Sequence, residues 1–252
     1  MQIVLLTALG VGGATVIGAF MGFAFKKISE RYSDTILAFA AGVMLAAAVI
    51  GLVLPSIEYG GGNVWITVVG IFCGALFLNV LDKIVPHLHH LSGVDREAHP
   101  TMSDQLSKVL LFVMAIAIHN LPEGIAAGVG FGTGNTGEAI TIAVGIALQN
   151  IPEGMVIIGP MLASGMSPQR TFVAAMLTGV VEVIGTLIGY FAVTVSAAIL
   201  PFALAFAGGT MLYVISDEMI PETHASGCEE CKVTYSLMAG FCLMLVMSHY
   251  LG

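Results

Sequence analysis

The chain has 252 residues, of which 57% are hydrophobic and only 10% are charged, and its mean hydropathy is +0.96. This composition excludes an ordinary soluble enzyme and predicts an all-α membrane protein with one polytopic transmembrane domain over residues 1–252. The formal net charge of −8 and the lack of a basic stripe in the sequence exclude nucleic acid as an expected partner.

Eight apolar runs have the length that a bilayer requires of a helix, about twenty residues each. No basic segment precedes the first run, so we interpret it as a true span rather than a signal peptide. The predicted spans, numbered 1 to 8 in chain order, are 3–25, 33–54, 63–85, 105–130, 138–161, 168–192, 196–219 and 232–251.

The positions of the basic residues predict the orientation of the spans. All lysines and arginines lie in or beside the first, third, fifth and seventh loops, and the other loops and both tails contain none. Because cytoplasmic loops retain Lys and Arg, both termini are expected on the outer side of the cell (inner) membrane.

Spans 2 and 7 carry similar glycine-rich segments, AGVML at 41–45 and GGTML at 208–212. Spans 2 and 7 are expected to end near Pro55 and Pro221, respectively. One span has an even number and the other an odd number, so they cross the membrane in opposite directions. This is the pattern of an inverted repeat, which occurs mainly in transporters.

One short pattern occurs twice, as HNLPEG at 119–124 in span 4 and as QNIPEG at 149–154 in span 5. Residues three and four apart share a helix face, so the polar side chains of each copy point the same way. These side chains are those of His119, Asn120 and Glu123 in the first copy, and of Asn150 and Glu153 in the second. The pattern is typical of metal ligands in an otherwise apolar helix.

Each copy also contains a proline, Pro122 or Pro152. Since proline has no N–H, it should leave the carbonyls of Ile118 and Leu148 without a helical partner and kink both helices. Within a membrane, irregular backbone of this kind survives only where protein buries it or where it lines a watery cavity.

Three carboxylates, Glu123, Glu153 and Glu182, are expected near the middle of the bilayer. A rise of about 1.5 Å per residue places them at the centre of a hydrocarbon core about 30 Å thick, and no Lys or Arg is expected at that depth. An acidic side chain there costs at least about 2.5 kcal/mol, so protons or a divalent cation must neutralise the group. Protonated glutamic acids would explain their burial but not the neighbouring His and Asn residues.

The mixture of ligand types restricts the metal. One imidazole with carboxylate and amide oxygens suits Zn²⁺, Fe²⁺, Mn²⁺ or Cd²⁺ better than Cu⁺, Ca²⁺ or Mg²⁺. Glu123 and Glu153 can each bridge, so a site with two metals is compatible with the sequence. No catalytic cofactor is expected, and the metal would be the transported substrate.

A cytoplasmic loop over about 86–104 contains four histidines, with Asp82 just before it. The four are His87, His89, His90 and His99. They can receive or sense metal, or they can be ordinary surface histidines of a loop. Cys228 and Cys231 form a C-x-x-C motif near His224, which supplies too few ligands to define a zinc site by itself.

With both HNLPEG and QNIPEG copies, eight spans and a histidine-bearing loop after span 3, the sequence closely resembles the ZIP (Zrt/Irt-like) divalent metal transporters, particularly their bacterial GufA-like branch. The resemblance covers essentially the whole chain. It implies eight helices in a 3+2+3 arrangement with inverted repeats. It also implies that spans 1, 4, 5 and 6 slide as a block against spans 2, 3, 7 and 8.

The resemblance further implies two sets of metal ligands. The midplane transport site would contain His119, Asn120, Glu123, Gln149, Asn150, Glu153 and Glu182, with Met44 as an additional ligand. The cytoplasmic exit site would contain Asp82, His87, His89, Asp217 and Glu218. Some relatives have Asp where this chain has Asn150, and a neutral amide there weakens a second metal position.

These features favour an uptake transporter that moves a divalent metal, zinc first, into the cytoplasm by alternating access. No phosphate-binding G-x-x-x-x-G-K-[ST] motif occurs, so the chain is not expected to hydrolyse ATP. A metal-selective channel remains an alternative. An intramembrane metalloenzyme is less favoured, because the sequence has no H-E-x-x-H motif and no enzyme activity is expected. The glycine-rich helix faces are compatible with a homodimer.

Overall fold

The computed structural model describes residues 1–24, 30–84, 117–163, 165–225 and 230–251. These ranges are helical and contain no β-strand. They include seven helical stretches that are long and apolar enough to cross a membrane, which correspond to predicted spans 1 to 3 and 5 to 8. Span 4 is described only from residue 117 onwards. The prediction of an all-α membrane protein is therefore confirmed.

In chain order, the helices are α1 (Gln2–Ala24), α2 (Glu30–Ala46), α3 (Leu54–Tyr59), α4 (Val64–Ile84), α5 (117–130), α6 (Thr136–Val156), α7 (Ile158–Ala163), α8 (Pro168–Val195), α9 (Leu200–Val214), α10 (Ile220–Ala225) and α11 (Glu230–Leu251). Two π-helical segments join them, Ala47–Val53 between α2 and α3, and Ile215–Met219 between α9 and α10. Short 3₁₀ turns lie at Phe131–Thr133 and Ala197–Ile199.

Spans 2 and 7 continue for a few residues beyond the prolines near which they were predicted to end. Both continue as helix, to Tyr59 and Ala225, through a π-helical segment followed by α3 or α10. The N–H of Leu54, just before Pro55, donates to the carbonyl of Val49, five residues earlier, and Ile220 repeats this pattern before Pro221. The wider π turn leaves room for a proline ring that would clash in an α-helix, so the chain stays helical.

Pro122 and Pro152 do not end their helices either. The α-helix continues through Pro122 to residue 130 and through Pro152 to Val156. α6 is interrupted only at Ile157, which forms a turn while its N–H still donates to the carbonyl of Glu153 at 3.3 Å. Each polar motif therefore lies on continuous helix.

The long helices pack in two groups. α1 packs extensively on α6 and α8, and α5 packs on α8. We call α1, α5, α6 and α8 the motif group, because it contains both copies of the repeated pattern. α4 packs on α9 and α2 packs on α11, and we call these four helices, together with α3, α10 and the two π-helical segments, the flanking group. The main apolar core lies where the two groups meet, since it contains buried residues from both.

Within each group, glycines bring helix backbones into direct contact. A Cβ added at Gly18 of α1 would lie 2.2 Å from the carbonyl oxygen of Ile151 on α6. In the flanking group, a Cβ added at Gly42 would lie 1.9 Å from the carbonyl oxygen of Leu237. Real Cβ atoms cannot approach this closely, so only glycine permits these helix contacts.

Between the two groups, the glycines meet side chains instead. Gly51 faces the side chain of Ile142, and Gly145 faces the sulfur and methyl of Met244. Side chains can change rotamer, whereas a backbone carbonyl in a helix cannot move independently. The contacts within a group are therefore more rigid than those between groups.

Close glycine contacts occur in matched pairs, and spans 1 and 2 are related to spans 6 and 7 by a spacing of 167 residues. Thr15 and Glu182 are 167 positions apart, and the same spacing separates Gly42 from Gly209. Each contact joins a glycine to the residue whose carbonyl oxygen it approaches. The contact Gly42–Leu237 corresponds to Gly209–Ile71, and Gly240–Phe39 corresponds to Gly74–Phe206. Likewise, Gly18–Ile151 corresponds to Gly185–Leu121, and Gly154–Thr15 corresponds to Gly124–Glu182. Spans 1 to 3 and spans 6 to 8 thus make equivalent contacts.

Candidate metal site

The polar residues of the two motifs come together where α1, α5, α6 and α8 meet. Five side chains in this cluster are at most 3% exposed: Asn120, Glu123, Gln149, Asn150 and Glu182. His119 and Glu153 are partly buried at its edge. The structure thus places these residues, which come from three different helices, beside one another.

Glu182 of α8 is the centre of a hydrogen-bonded network. Its Oε2 accepts from the side-chain amide of Asn150 at 2.7 Å. Its Oε1 accepts from the side-chain amide of Asn120 and from the hydroxyl of Thr15 at 2.7 Å. One carboxylate therefore connects α8 to α1, α5 and α6.

Glu123 and Gln149 form a second connection within the site. The side-chain N–H of Gln149 donates to Glu123 Oε1 at 2.9 Å, which links α6 to α5. Other polar oxygens around this bond are buried and, in the part of the chain that the structure describes, have no hydrogen-bond partner. They are Glu123 Oε2, Gln149 Oε1, Asn150 Oδ1 and Glu153 Oε1.

The site concentrates negative charge. Glu123 interacts unfavourably with both Glu153 and Glu182, while His119 interacts favourably with Glu153. The lysine and arginine side chains that the structure describes, those of Lys83, Arg170 and Lys232, are exposed. Buried acceptor oxygens and three carboxylates, with His119 as the basic side chain that the structure describes beside them, attract a cation rather than an anion.

The described residues contain no cluster of three His, Cys, Asp or Glu side chains close enough together to hold a metal ion. Any coordination in this arrangement would therefore have to include the amide oxygens of Gln149 and Asn150 beside the carboxylates. Oxygen ligands of this kind with one imidazole suit a divalent cation of the first transition row better than Cu⁺.

Comparisons with known proteins identify the family. A family model described as a ZIP zinc transporter matches residues 92–248. The zinc transporter GufA of Myxococcus xanthus is 40% identical over 255 residues, which cover 98% of each chain. The chain belongs to the ZIP family. The zinc transporter ZIPB of Bordetella bronchiseptica is 37% identical over 95% of this chain and 78% of its own length. The zinc transporter ZupT of Chlorobaculum parvum is 34% identical over 93% and 92%, respectively. The prediction of a GufA-like ZIP protein is thus confirmed.

The other predicted ligands of this ZIP protein are Met44 and the residues of the exit site. Met44 is fully buried in the main apolar core on α2. Glu218, predicted for the exit site, lies on the π-helical segment Ile215–Met219, and its Oε1 is 3.0 Å from His119 Nε2. Asp217 is exposed beside it. Asp82 is in the last turn of α4, and His87 and His89, like Cys228, lie outside the described residues.

Sequence reasoning missed Thr15 of this ZIP protein. It is 2% exposed and donates to Glu182, although span 1 contains no ionisable side chain that would have drawn attention to it. Aligning span 1 with span 6 would have found it, because the spacing of 167 residues that relates the two repeats pairs Thr15 with Glu182.

Proposed function

We propose that this ZIP protein moves a divalent transition metal across the cell membrane into the cytoplasm, and that zinc is the leading candidate for this metal. The observation that carries the proposal is the set of four buried acceptor oxygens on Glu123, Gln149, Asn150 and Glu153, which face no donor in the described residues. A buried acceptor without a hydrogen-bond partner lowers the stability of the fold, and a bound ligand would satisfy these oxygens. The relatives, which are named zinc transporters, agree with this function.

The proposed transport site contains all the polar residues of the two motifs together with Glu182. His119, Glu123, Gln149, Asn150 and Glu153 would present ligand atoms to the metal. Zinc accepts nitrogen and carboxylate oxygen at about 2.0–2.2 Å, and Cd²⁺, Fe²⁺ and Mn²⁺ are chemically close alternatives. Met44 stays a candidate additional ligand, and occupancy by two metals stays a prediction that Asn150 disfavours.

An exit route towards the cytoplasm is proposed along the π-helical segment Ile215–Met219. The contact between His119 and Glu218 supports this route, because it joins a transport-site imidazole to a carboxylate of the flanking group. Asp217 lies next to Glu218 and is exposed. Asp82, His87 and His89 are proposed to continue the route.

Alternating access is proposed to occur by movement of the motif group, which comprises spans 1, 4, 5 and 6, against the flanking group. Backbone contacts within each group and side-chain contacts between groups, at Gly51 and Gly145, support two rigid bodies with a sliding boundary. A carrier of this type gives saturable uptake. Large single-channel currents would instead indicate the alternative of a metal-selective channel.

We also propose that the eight spans form a 3+2+3 arrangement with inverted repeats. The matched glycine contacts of spans 1 to 3 and 6 to 8 support this arrangement, and so does the π-helical segment before a proline in both spans 2 and 7. An experimental structure in which the two sets of three spans fail to superpose after a half-turn rotation would contradict it.

The chain is a multi-pass membrane protein, and we propose an inner-membrane location with both termini outside. The expected result is that a membrane-impermeant maleimide labels Tyr250→Cys in intact cells but does not label Cys231. Both positions are exposed at opposite ends of α11, so they form a matched pair. The remaining cysteines are first replaced by serine, and permeabilised cells provide the positive control. Labelling of Cys231 alone would reverse the proposed orientation.

The names of the relatives describe transporters, which disfavours the alternative of an intramembrane metalloenzyme. The metal is accordingly proposed as substrate rather than as a catalytic cofactor. A homodimer is proposed only as compatible with the exposed apolar helix faces.

The experiment that tests the function measures metal uptake into proteoliposomes that contain the purified protein. Zn²⁺, Cd²⁺, Fe²⁺ and Mn²⁺ are offered separately, with protein-free liposomes and Mg²⁺ as controls. We expect saturable uptake of Zn²⁺ and none of Mg²⁺, because Mg²⁺ gives up its bound waters reluctantly and prefers an octahedron of oxygens. If none of the four metals enters, the proposed function is wrong.

A further inference from the structure

Thr15 has a buried hydroxyl in the transport site, on a helix that contributes no charged group to it. Its Oγ1 donates to Glu182 Oε1 at 2.7 Å, and the side chain is 2% exposed. We infer that Thr15 and Glu182 are positioning residues that fix the side-chain amide of Asn150 so that its oxygen faces the transported metal. This inference rests on the proposed function.

The orientation of Asn150 follows from its two neighbours. Its side-chain nitrogen lies 2.7 Å from Glu182 Oε2 and 3.3 Å from the backbone carbonyl oxygen of Val11. The backbone carbonyl of Val11 can only accept a hydrogen bond, so the NH₂ group must face it, and an ionised Glu182 accepts from the same NH₂ group. Asn150 Oδ1 therefore points away from Glu182, where it is buried without a donor and is available to a cation.

Glu182 differs from the other two carboxylates in its partners. It accepts three hydrogen bonds from side chains, those of Thr15, Asn120 and Asn150, and both of its oxygens are engaged. Glu123 accepts one side-chain hydrogen bond and leaves Oε2 without a donor. Glu182 is therefore suited to hold the neighbouring amides in place, and Glu123 is suited to contact the metal.

Close helix packing keeps Thr15 and Glu182 in register. A Cβ added at Gly154 would lie 2.3 Å from the carbonyl oxygen of Thr15, and one added at Gly124 would lie 2.2 Å from that of Glu182. The backbone of α1 thus contacts α6 at Thr15, and the backbone of α8 contacts α5 at Glu182. A short hydroxyl reaches Glu182 because α1 and α8 also touch directly, where a Cβ added at Gly12 would lie 2.3 Å from the carbonyl oxygen of Gly179.

The test compares Thr15→Val, which removes the hydroxyl but keeps the shape, with Thr15→Ser, which keeps the hydroxyl. In the proteoliposome assay, Thr15→Val is expected to raise KM for Zn²⁺ about tenfold, the loss typical of a group that orients a metal ligand, while Vmax stays within about twofold. Thr15→Ser is expected to restore the wild-type KM. Thr7→Val, at a partly buried threonine of the same helix, should leave KM unchanged.

A spectroscopic readout separates ligand positioning from general damage to the protein. The absorption bands of Co²⁺ bound to purified protein report the geometry of its ligands, and they should change in Thr15→Val and not in Thr15→Ser. An unchanged KM and an unchanged spectrum in Thr15→Val would overturn the inference, and so would equal damage in Thr15→Ser. Absence of uptake by the wild type would instead refute the proposed function.

Discussion

Zn²⁺ uptake into proteoliposomes should fall about 100-fold or more when either Glu123 or Glu153 is replaced by glutamine, because each change would remove a negative charge and a proposed ligand oxygen from the buried site. Loss of a residue that merely orients a ligand already costs about 10–100-fold, so loss of a ligand should cost at least as much. Glutamine has nearly the same shape as glutamate, so the packing of α5 and α6 is preserved. The measurement is the initial rate of uptake as a function of Zn²⁺ concentration.

The matched control for these two variants is Glu58→Gln. Glu58 is an exposed carboxylate on α3, and its replacement should leave the uptake rate within about twofold of the wild type because an exposed charge is screened by solvent and salt. Glu218→Gln should give an intermediate result, with a lower Vmax, since it removes the flanking-group partner of His119. Wild-type kinetics in both Glu123→Gln and Glu153→Gln would exclude the buried oxygens as the transport site.

The second large effect is expected on stability rather than on uptake. Gly12→Ala should lower the free energy of unfolding by about 1–3 kcal/mol, the usual cost of overpacking, because its Cβ would lie 2.3 Å from the carbonyl oxygen of Gly179. Gly179 approaches the carbonyl of Gly12 in the same way, so α1 and α8 would have to separate. The measurement is the midpoint of thermal unfolding in detergent, compared with that of the wild type.

Gly13→Ala is the control for this change. A Cβ at Gly13 meets nothing within 4 Å, and both substitutions gain the same helix propensity, about 1 kcal/mol at most. The difference between the two variants therefore isolates the helix contact. A Gly12→Ala protein that unfolds at the same temperature as Gly13→Ala would show that α1 and α8 do not pack as described.

The helices that run through Pro55 and Pro221 show a limit of prediction from sequence in this protein. Pro55 and Pro221 are sound indicators of a helix end, because they remove a donor and clash with the preceding turn. The chain instead forms π turns at Val49–Leu54 and Ile215–Ile220 and remains helical. Whether a proline ends a helix or is absorbed in this way depends on what packs around it, which the local sequence does not contain.

The sequence by itself predicted the helical class, the seven spans that the structure describes and the polar residues that the structure brings together. A bilayer forces every backbone group to find its partner within a helix or barrel, so apolar length and helical spacing are enough for these predictions. Which atoms meet was decided only by the tertiary structure. The amide orientation of Asn150, the role of Thr15 and the approach of His119 to Glu218 depend on helices far apart in sequence. Their distances are set by glycine contacts between whole helices, and no local pattern encodes them.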